Sequence, residues 1–210
     1  MRGDWSKRMI KCIMLDVDGV LVDGRPEDGQ SWASSLREDL GIDPEMLVSS
    51  FFSKVWDDIV TGKRELVVEL TKVLQQLPTD VTAEKLVNYW FEKDSRIVEP
   101  VLADCRAARK SGFAVYLATN QEHQRAGYLT ETLGLGREFD GMIYSAQAGV
   151  RKPFSGFYDH ALRVSGFAPE TVLFVDDTRA NVDAAADAGL RAVHWTEGAS
   201  LSAILQSVTR

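Results

Sequence analysis

Residues 11–24 read KCIMLDVDGVLVDG, a short apolar run that meets Asp16 and Asp18 with a single valine between them. An apolar run of this length that ends in polar residues is typical of a strand covered on both faces. Neighbouring carboxylates repel each other, and removing either one from water is unfavourable unless positive charge lies nearby. The stretch therefore predicts that positive charge compensates these acids, unless the two aspartates lie in a solvated loop.

Four further runs repeat the pattern of the first strand. They read FAVYLATN (113–120), GMIYSA (141–146), TVLFVDD (171–177) and, more weakly, LRAVHW (190–195). Helical spacing separates them, for example in EPVLADCRAARKSG (99–112) and TRANVDAAADAG (178–189), which both stop at a glycine. Strands that alternate with helices predict an α/β fold with a doubly wound, mostly parallel sheet and right-handed crossovers.

The segment 24–98 departs from this alternation, because its pattern is mostly helical and it is too long for a crossover. Apolar residues recur at three- and four-residue spacing in four stretches, SWASSLREDLG (31–41), PEMLVSSFFSKVWDDIVTG (44–62), KRELVVELTKVLQQL (63–77) and TAEKLVNYWFEKD (82–94). Thr82 is suited to cap the last of these helices, and Gly62 to close the second. We therefore predict an α-helical subdomain at 24–98, inserted into a core domain formed by 1–23 and 99–210.

The composition suits a soluble enzyme better than a nucleic-acid-binding protein. The chain has 210 residues, of which 45% are hydrophobic, and a formal net charge of −7. A chain of this size buries about 70% of its unfolded surface, so a full core is expected. The acidic balance argues against a nucleic-acid partner, because phosphate backbones are bound by clustered basic residues.

Cysteine usage and hydropathy indicate a cytoplasmic protein. Cys12 and Cys105 lie far apart without metal-ligand spacing, and we predict that both are buried thiols in a reducing compartment. No apolar run approaches the roughly 20 residues that span a bilayer. The stretch MRGDWSKRMIKC (1–12) lacks the apolar segment of a signal peptide. We therefore expect no membrane partner and a cytoplasmic location.

Side chains with catalytic potential fall at or just after the ends of the predicted strands. Asp16, Thr119 and the pair Asp176 and Asp177 end three of them, and Lys152 follows a fourth. Parallel strands present their carboxyl ends at one edge of the sheet, where ligands bind, so we expect these side chains to converge. A Mg²⁺ ion beside Asp16 would offset the repulsion between the carboxylates, and Mg²⁺ prefers oxygen ligands.

Each of these residues, taken alone, has an ordinary structural explanation. Asp16 and Asp18 could form an Asx-turn, and Asp177 could cap the helix that follows it. A threonine often ends a strand without any further role, and Lys152, beside Arg151, could be a solvated surface charge. Only their joint placement at one edge of the sheet favours a functional site.

Four segments resemble, in order, the four motifs of the haloacid dehalogenase superfamily. DVDGVLVD (16–23) is similar to the Asp-x-Asp-Gly-(Thr/Val) motif, and VYLATN (115–120) to a strand that ends in Ser or Thr. VRKPFSGFY (150–158) resembles the third motif, a Lys followed by Pro at a helix entry, and VLFVDDTRANVDAAADAG (172–189) resembles the fourth. The resemblance covers essentially the whole chain. It implies a Rossmann-like core, with the helical segment at the place of a C1-type cap.

The resemblance also implies a role for each matching residue. Asp16 would be the nucleophile that takes the phosphoryl group, and Asp18 would protonate the leaving group and then activate water. Thr119 and the Asn120 backbone N–H would bind a phosphoryl oxygen. Lys152 would neutralise charge on the nucleophile and on the transferring group.

The cofactor that the resemblance implies is Mg²⁺. Its ligands would be Asp16, the Asp18 carbonyl and Asp177, with Asp176 acting through water. The implied activity is phosphomonoester hydrolysis through an aspartyl phosphate. We expect the partner to be a small phosphorylated metabolite, and the protein to be a monomer or a homodimer.

Other functions are weighed against this one. A sugar phosphomutase would use the same core but would need cap groups that shield the aspartyl phosphate from water, and the sequence identifies none. The dehalogenases of the superfamily need no metal and lack an acid at the position of Asp18, so this acid favours phosphoryl transfer. A phospho-acceptor receiver domain places its acid pair first and carries no helical insert. The intact set of motifs argues against a non-catalytic binding module.

Substrate specificity is expected to come from the helical segment. Aromatic residues recur there at helical spacing, which favours a core role over a pocket; they are Trp32, Phe51, Phe52, Trp56, Tyr89, Trp90 and Phe91. Arg25, just after the first motif, could reach a substrate. His123 and Arg125, within NQEHQRAGYL (120–129), are predicted to lie in an exposed helical turn near the edge of the site.

Overall fold

The structure, a computed structural model, describes residues 9–209. Residues 1–8, which belong to the predicted core and to the stretch without signal-peptide character, and residue 210 lie outside the described residues. A sheet of five strands forms the centre, and all neighbouring strands run parallel. The strands are β1 (Cys12–Leu15), β2 (Ala114–Thr119), β3 (Gly141–Tyr144), β4 (Val172–Asp176) and β5 (Arg191–His194), in the order β3-β2-β1-β4-β5.

Helices connect the strands and also fill the long stretch between β1 and β2. In chain order they are α1 (Leu36–Leu40), α2 (Pro44–Leu47), α3 (Ser53–Val60), α4 (Leu66–Leu74), α5 (Ala83–Lys93), α6 (Glu99–Lys110), α7 (His123–Gly127), α8 (Ser145–Ala148), α9 (Ser155–Ser165), α10 (Arg179–Asp187) and α11 (Leu201–Thr209). A π-helical turn at Val48–Phe52 joins α2 to α3. The predicted alternation in a parallel sheet is confirmed. Among the described residues, none of these helices combines the length and the hydropathy that crossing a membrane requires.

Alternate residues of β1 point to opposite faces of the sheet, and helices cover both faces. Ile13 and Leu15 pack in the cluster that includes residues of α6 and α11, whereas Cys12 and Met14 pack in the cluster with α9 and α10. All four side chains are fully buried, which explains why β1 is apolar at every position. Cys12 in β1 and Cys105 in α6 are both buried free thiols, as predicted.

Helices α1–α5 pack around an apolar cluster of their own, separate from the two clusters that cover the sheet. Its centre is aromatic. Trp90 stacks on Trp32 with ring centroids 5.1 Å apart, and Phe52 and Trp56 contact Trp90 at centroid distances of 5.5 and 5.6 Å. The aromatic residues of this segment therefore form a core, as their helical spacing predicts.

Two chain connections join helices α1–α5 to the sheet, and they run side by side. Val22 and Ile97 form an isolated antiparallel bridge. Next to it, the Val98 N–H donates to the Leu21 carbonyl at 2.8 Å. Because the chain leaves the sheet and returns to it at one place, the five helices pack as a unit beside the carboxyl end of β1.

The first helix of this segment is shorter than predicted. Of the stretch 31–41, only Leu36–Leu40 is helical. Ser31 and Ser34 form a turn instead, in which the Ser34 hydroxyl donates to the Ser31 carbonyl at 2.7 Å. Hydrogen bonds from serine side chains to the nearby backbone compete with helix formation, and here Trp32 also packs into the aromatic cluster.

The end of α3 contacts α8, which directly follows β3. The Ser145 hydroxyl, fully buried just after β3, lies 2.5 Å from the Val60 carbonyl oxygen. Gly62 has a φ of +73°, and a Cβ at this position would lie 2.6 Å from the Ala146 carbonyl oxygen. Only glycine lets the backbone at residue 62 come this close to the Ala146 carbonyl without displacing one of the two segments.

Gly62→Ala is expected to destabilise the protein by about 1 kcal/mol more than Gly41→Ala, its matched control. Gly41 has a similar φ of +68°, but a Cβ there would meet nothing within 4 Å. Both variants therefore strain a left-handed backbone, and only Gly62→Ala adds the clash with the Ala146 carbonyl. Urea denaturation measures the two free energies of unfolding. Equal losses would show that the end of α3 does not contact α8 in this way.

Candidate active site

The carboxyl ends of β1, β2 and β4 converge on a cleft of about 310 Å³. Asp16 directly follows β1, Thr119 ends β2, and Asp176 ends β4 beneath the cleft. The walls include Asp16, Asp18, Thr119, Asn120, Asp177 and Asn181. The structure thus brings the side chains at three predicted strand ends to one place.

Lys152 lies beneath this cleft with only 1% of its surface exposed. Its Nζ is 2.8 Å from Asp16 Oδ1 and 2.6 Å from Asp176 Oδ2, and it donates to the Ala118 carbonyl at 2.9 Å. Burial alone would lower the pKa of Lys152, but the two carboxylates outweigh burial and raise it. Lys152 is therefore not a solvated surface charge. It is the cation that the sequence around Asp16 requires.

Lys152 compensates the negative charge of Asp16 only in part. Burial raises the pKa of Asp16 to about 8, and the neighbouring carboxylates of Asp176 and Asp18 add to the rise, while Lys152 opposes it. A further cation would favour the ionised form of Asp16. Carboxylate oxygens of Asp16, Asp176 and Asp177 lie within 4.8 Å of one another, and oxygen ligands of this kind suit Mg²⁺. These residues fit a divalent cation.

Asp176 and Asp177 have different surroundings although they are adjacent in sequence. Asp176 is fully buried, and its carboxylate accepts hydrogen bonds from Lys152, from the Asn181 amide at 2.9 Å and from the Thr178 N–H at 2.8 Å. Asp177 is exposed on the cleft, and Thr178 rather than Asp177 stands at the N-cap of α10. Asp177 therefore does not cap the helix, and its carboxylate faces the cleft.

Asp18 opens onto the same cleft, two residues beyond Asp16. Gln121 Nε2 donates to Asp18 Oδ2 at 2.6 Å and lies 3.4 Å from Thr119 Oγ1. Desolvation by the surrounding protein raises the pKa of Asp18, and the charge of Arg125 and the Gln121 hydrogen bond oppose this rise. The cleft therefore holds two acids in different settings, one against a buried lysine and one held by a neutral amide.

Comparison with known proteins identifies the family of this chain. The haloacid dehalogenase-like hydrolase family matches residues 10–189. The chain belongs to this family. A phosphoglycolate phosphatase of Pseudomonas putida is 27% identical over 196 residues, which cover 90% of this chain and 70% of that protein. A phosphoglycolate phosphatase of Haemophilus influenzae is 26% identical over 193 residues, which cover 90% of this chain and 86% of that protein.

A solved structure shares the fold of this haloacid dehalogenase-like hydrolase. It is the magnesium complex of a family enzyme from Bacteroides thetaiotaomicron, with a TM-score of 0.78 and 17% sequence identity. The match covers 94% of this chain and 98% of the other. The five parallel strands and their flanking helices are thus the Rossmann-like core of the family.

In this hydrolase the Asn120 side chain forms hydrogen bonds with both the N–H and the carbonyl of Lys152. Asn120 Oδ1 accepts from the Lys152 N–H at 2.8 Å, and Asn120 Nδ2 donates to the Lys152 carbonyl at 3.1 Å. The end of β2 thereby sets the position of the lysine. The sequence predicted a contribution from the Asn120 backbone N–H, and this contact of the side chain was missed.

Two further amides in the site were not predicted, Gln121 and Asn181. Asn181 is 5% exposed and donates to both carboxylate oxygens of Asp176, at 2.9 and 3.2 Å. It lies in the first turn of α10, five residues after the end of β4, and this position directly after the fourth motif's acid pair could have indicated it. Gln121 directly follows the second motif, but an amide at that place carries no signature of its own.

The stretch after β2 differs from the exposed turn that the sequence predicts. His123 is exposed, but Arg125 has only 2% of its surface exposed. The Arg125 guanidinium donates to the Phe91 carbonyl at 3.2 Å and to the Asp94 carbonyl at the end of α5. The prediction was wrong for Arg125 because its partners come from another part of the chain. Arg125 ties α7 to α5.

Arg25 does not line the cleft, although its place after the first motif suggested that it could reach a substrate. Its guanidinium forms an ion pair with Asp28 and donates to the Ser35 hydroxyl at 2.5 Å. Both partners belong to the segment before α1. The charge of Arg25 is therefore compensated within its own segment.

Proposed function

We propose that the protein is a Mg²⁺-dependent phosphomonoester hydrolase that acts on a small organic phosphate through an aspartyl phosphate. The observation that carries this proposal is Asp18, an acid on the cleft beside the buried pair of Asp16 and Lys152. Departure of a halide needs no acid, whereas an alkoxide leaving group needs a proton. The phosphoglycolate phosphatases that resemble this chain are named for a phosphate ester, which supports the same chemistry.

In the first half-reaction Asp16 attacks phosphorus. A bond forms between the Asp16 carboxylate oxygen and phosphorus as the bond from phosphorus to the leaving oxygen breaks. Asp18 donates its proton to that oxygen, so that an alcohol departs. Thr119 donates a hydrogen bond to a phosphoryl oxygen, and Lys152 neutralises charge on the transferring group.

In the second half-reaction water releases the phosphate. Asp18, which has lost its proton, accepts one from water as the water oxygen forms a bond to phosphorus. The bond between phosphorus and Asp16 breaks, and inorganic phosphate leaves. Both residues return to their starting states, so each cycle consumes one ester and one water.

The proposed metal ligands are Asp16, the Asp18 backbone carbonyl and Asp177, with Asp176 acting through water. Mg²⁺, when bound, supplies positive charge that offsets the acids and the phosphoryl group. The exposure of Asp177 on the cleft supports its direct role. The hydrogen bonds of Asp176 to Lys152, Asn181 and Thr178 support an indirect one.

We further propose that 24–98 is a cap on a core formed by 1–23 and 99–210. Its separate apolar cluster and its adjacent connections support this division. A cap over the cleft would exclude bulk water and admit only small substrates. A small phosphorylated metabolite is therefore the proposed substrate class.

We expect Mg²⁺-dependent release of inorganic phosphate from at least one member of a panel of phosphorylated metabolites. The panel includes phosphoglycolate, sugar phosphates and p-nitrophenyl phosphate. Chelation with EDTA should lower the rate at least about 100-fold, because the charge stabilisation that a metal supplies is lost, and added Mg²⁺ should restore it. Colorimetric determination of phosphate measures each rate.

The same panel separates the competing functions. Isomerised product without free phosphate would identify a phosphomutase. Chloride release from 2-chloropropionate, with no phosphatase activity, would identify a dehalogenase. Full activity after thorough chelation would remove the metal from the mechanism.

A further inference from the structure

We propose that Gln121 is a positioning residue that orients Asp18, so that Asp18 Oδ1 is the atom that transfers protons. This inference rests on the proposed function, in which Asp18 is the acid and the base. Gln121 lies just outside the segment 115–120 that resembles the second motif. Its contact with Asp18 joins the loop after β2 to the loop after β1.

The side chain of Gln121 bridges the two sides of the cleft. It is 4% exposed, and its Nε2 lies 2.6 Å from Asp18 Oδ2 and 3.4 Å from Thr119 Oγ1. A short hydrogen bond to a carboxylate is among the stronger ones in proteins. One amide therefore contacts both the group proposed to face the leaving oxygen and the group proposed to bind the phosphate.

The chemistry of these neighbours sets the direction of the amide. An ionised carboxylate only accepts hydrogen bonds, and the NH₂ is the donating end of the Gln121 side chain. The opposite orientation would place the amide oxygen against Asp18. Since Oδ2 accepts from Gln121, the proton of the acid form resides on Oδ1. The same oxygen is then available to accept a proton from water in the second half-reaction.

Hydrogen bonds hold the backbone at and directly after Gln121 in place. The Gln121 carbonyl accepts from the Ala146 N–H at 3.1 Å, and Ser145 Oγ also lies 3.1 Å from it. The next residue, Glu122, is 3% exposed and accepts from the Gln124 N–H at 2.8 Å at the start of α7. The fixed backbone places the Gln121 side chain for its hydrogen bond to Asp18. A group that orients a catalytic acid needs such a fixed position.

Loss of the hydrogen bond between Gln121 and Asp18 should lower kcat/KM most for esters whose leaving group needs a proton. Phenoxide, released from phenyl phosphate, is basic and needs one, whereas 2,4-dinitrophenoxide leaves without one. The ratio kcat/KM reports the steps up to the first cleavage of the ester. A misaligned Asp18 should therefore lower kcat/KM for phenyl phosphate and spare it for 2,4-dinitrophenyl phosphate, whereas a general structural defect lowers both.

The decisive variant is Gln121→Met, which keeps the length of the side chain and removes the donor. In Mg²⁺, kcat/KM for phenyl phosphate is expected to fall about 10- to 100-fold, and that for 2,4-dinitrophenyl phosphate less than about threefold. For the second ester kcat should still fall, because water activation by Asp18 is needed whatever the leaving group. Gln124→Met is the matched control, since Gln124 is exposed in α7, three residues after Gln121, and it should leave the hydrolysis of both esters unaffected.

Circular dichroism shows whether Gln121→Met is folded, and a second variant tests the same contact if it is not. Gln121→Asn keeps the amide but withdraws it by one methylene, and it should show the same dependence on the leaving group. Equal losses on both esters, no loss on phenyl phosphate, or failure of both variants to fold would overturn the positioning role and leave the proposed function standing. Wild-type protein that releases phosphate from neither aryl ester nor from any member of the metabolite panel would overturn the proposed function, and this inference with it.

Discussion

Asp16→Asn is expected to give a folded protein whose phosphatase activity is lower by at least about 10³-fold. The amide cannot form the aspartyl phosphate, so the covalent route is closed. Folding should be retained, because the amide has nearly the same size and shape as the carboxylate, and Asp176 still pairs with Lys152 at 2.6 Å. Phosphate release from the most rapidly hydrolysed ester of the panel, with thermal unfolding followed by circular dichroism, measures both effects.

Asp23→Asn is the matched control, because Asp23 belongs to the same stretch as Asp16 but is exposed and pairs with Arg96. An ion pair at the surface contributes little, so activity within about threefold of the wild type is expected. Intact mass must show that the Asp16→Asn sample contains no deamidated protein. Turnover close to that of the wild type in such a sample would remove Asp16 as the nucleophile.

The sheet and the meeting of its strand ends could be predicted because both follow from local patterns. A parallel strand buried on both faces is apolar at every position, and the first polar residue marks its end. Asp16, Thr119 and Asp176 are such residues, and parallel strands all end at the same edge. Short stretches of sequence therefore suffice to place three side chains that come from distant parts of the chain.

Lys152 and Arg125 show where local patterns stop being informative. Lys152 is buried because Asp16 and Asp176 compensate its charge, and both lie far from it in sequence. Arg125 is buried because it donates to carbonyls at the end of α5, and backbone atoms leave no mark in the side-chain pattern. In both cases the tertiary structure outweighs the local tendency of a charged residue to remain in water.

The amides of Gln121 and Asn181 were missed for a different reason. An amide suits the surface and the interior alike, so its presence in the sequence predicts neither place. What matters is where the turns after β2 and β4 place it relative to Asp18 and Asp176. The sequence therefore indicates the groups that would react, and the structure adds the groups that hold them.

Asp18→Asn is expected to separate the two half-reactions. With 2,4-dinitrophenyl phosphate the first one needs no proton, so Asp16 should still be phosphorylated, whereas the second lacks its base and should slow by about 10²- to 10⁴-fold. We expect a burst of 2,4-dinitrophenol equal to the enzyme concentration, followed by slow turnover. The intact mass of acid-quenched protein should rise by one phosphoryl group. With phenyl phosphate the first half-reaction is slow as well, and no burst is expected.

The contacts of Asp18 make this variant a conservative one. The carbonyl of an asparagine at this position can accept from Gln121 as Asp18 Oδ2 does at 2.6 Å, so the side chain keeps its orientation and loses only its proton chemistry. The double variant Asp16→Asn/Asp18→Asn is the control, and it should show neither burst nor mass increase. Wild-type turnover by Asp18→Asn would contradict its role as acid and base. A burst in the double variant would place the covalent phosphate on another residue, and the attack by Asp16 would then be wrong.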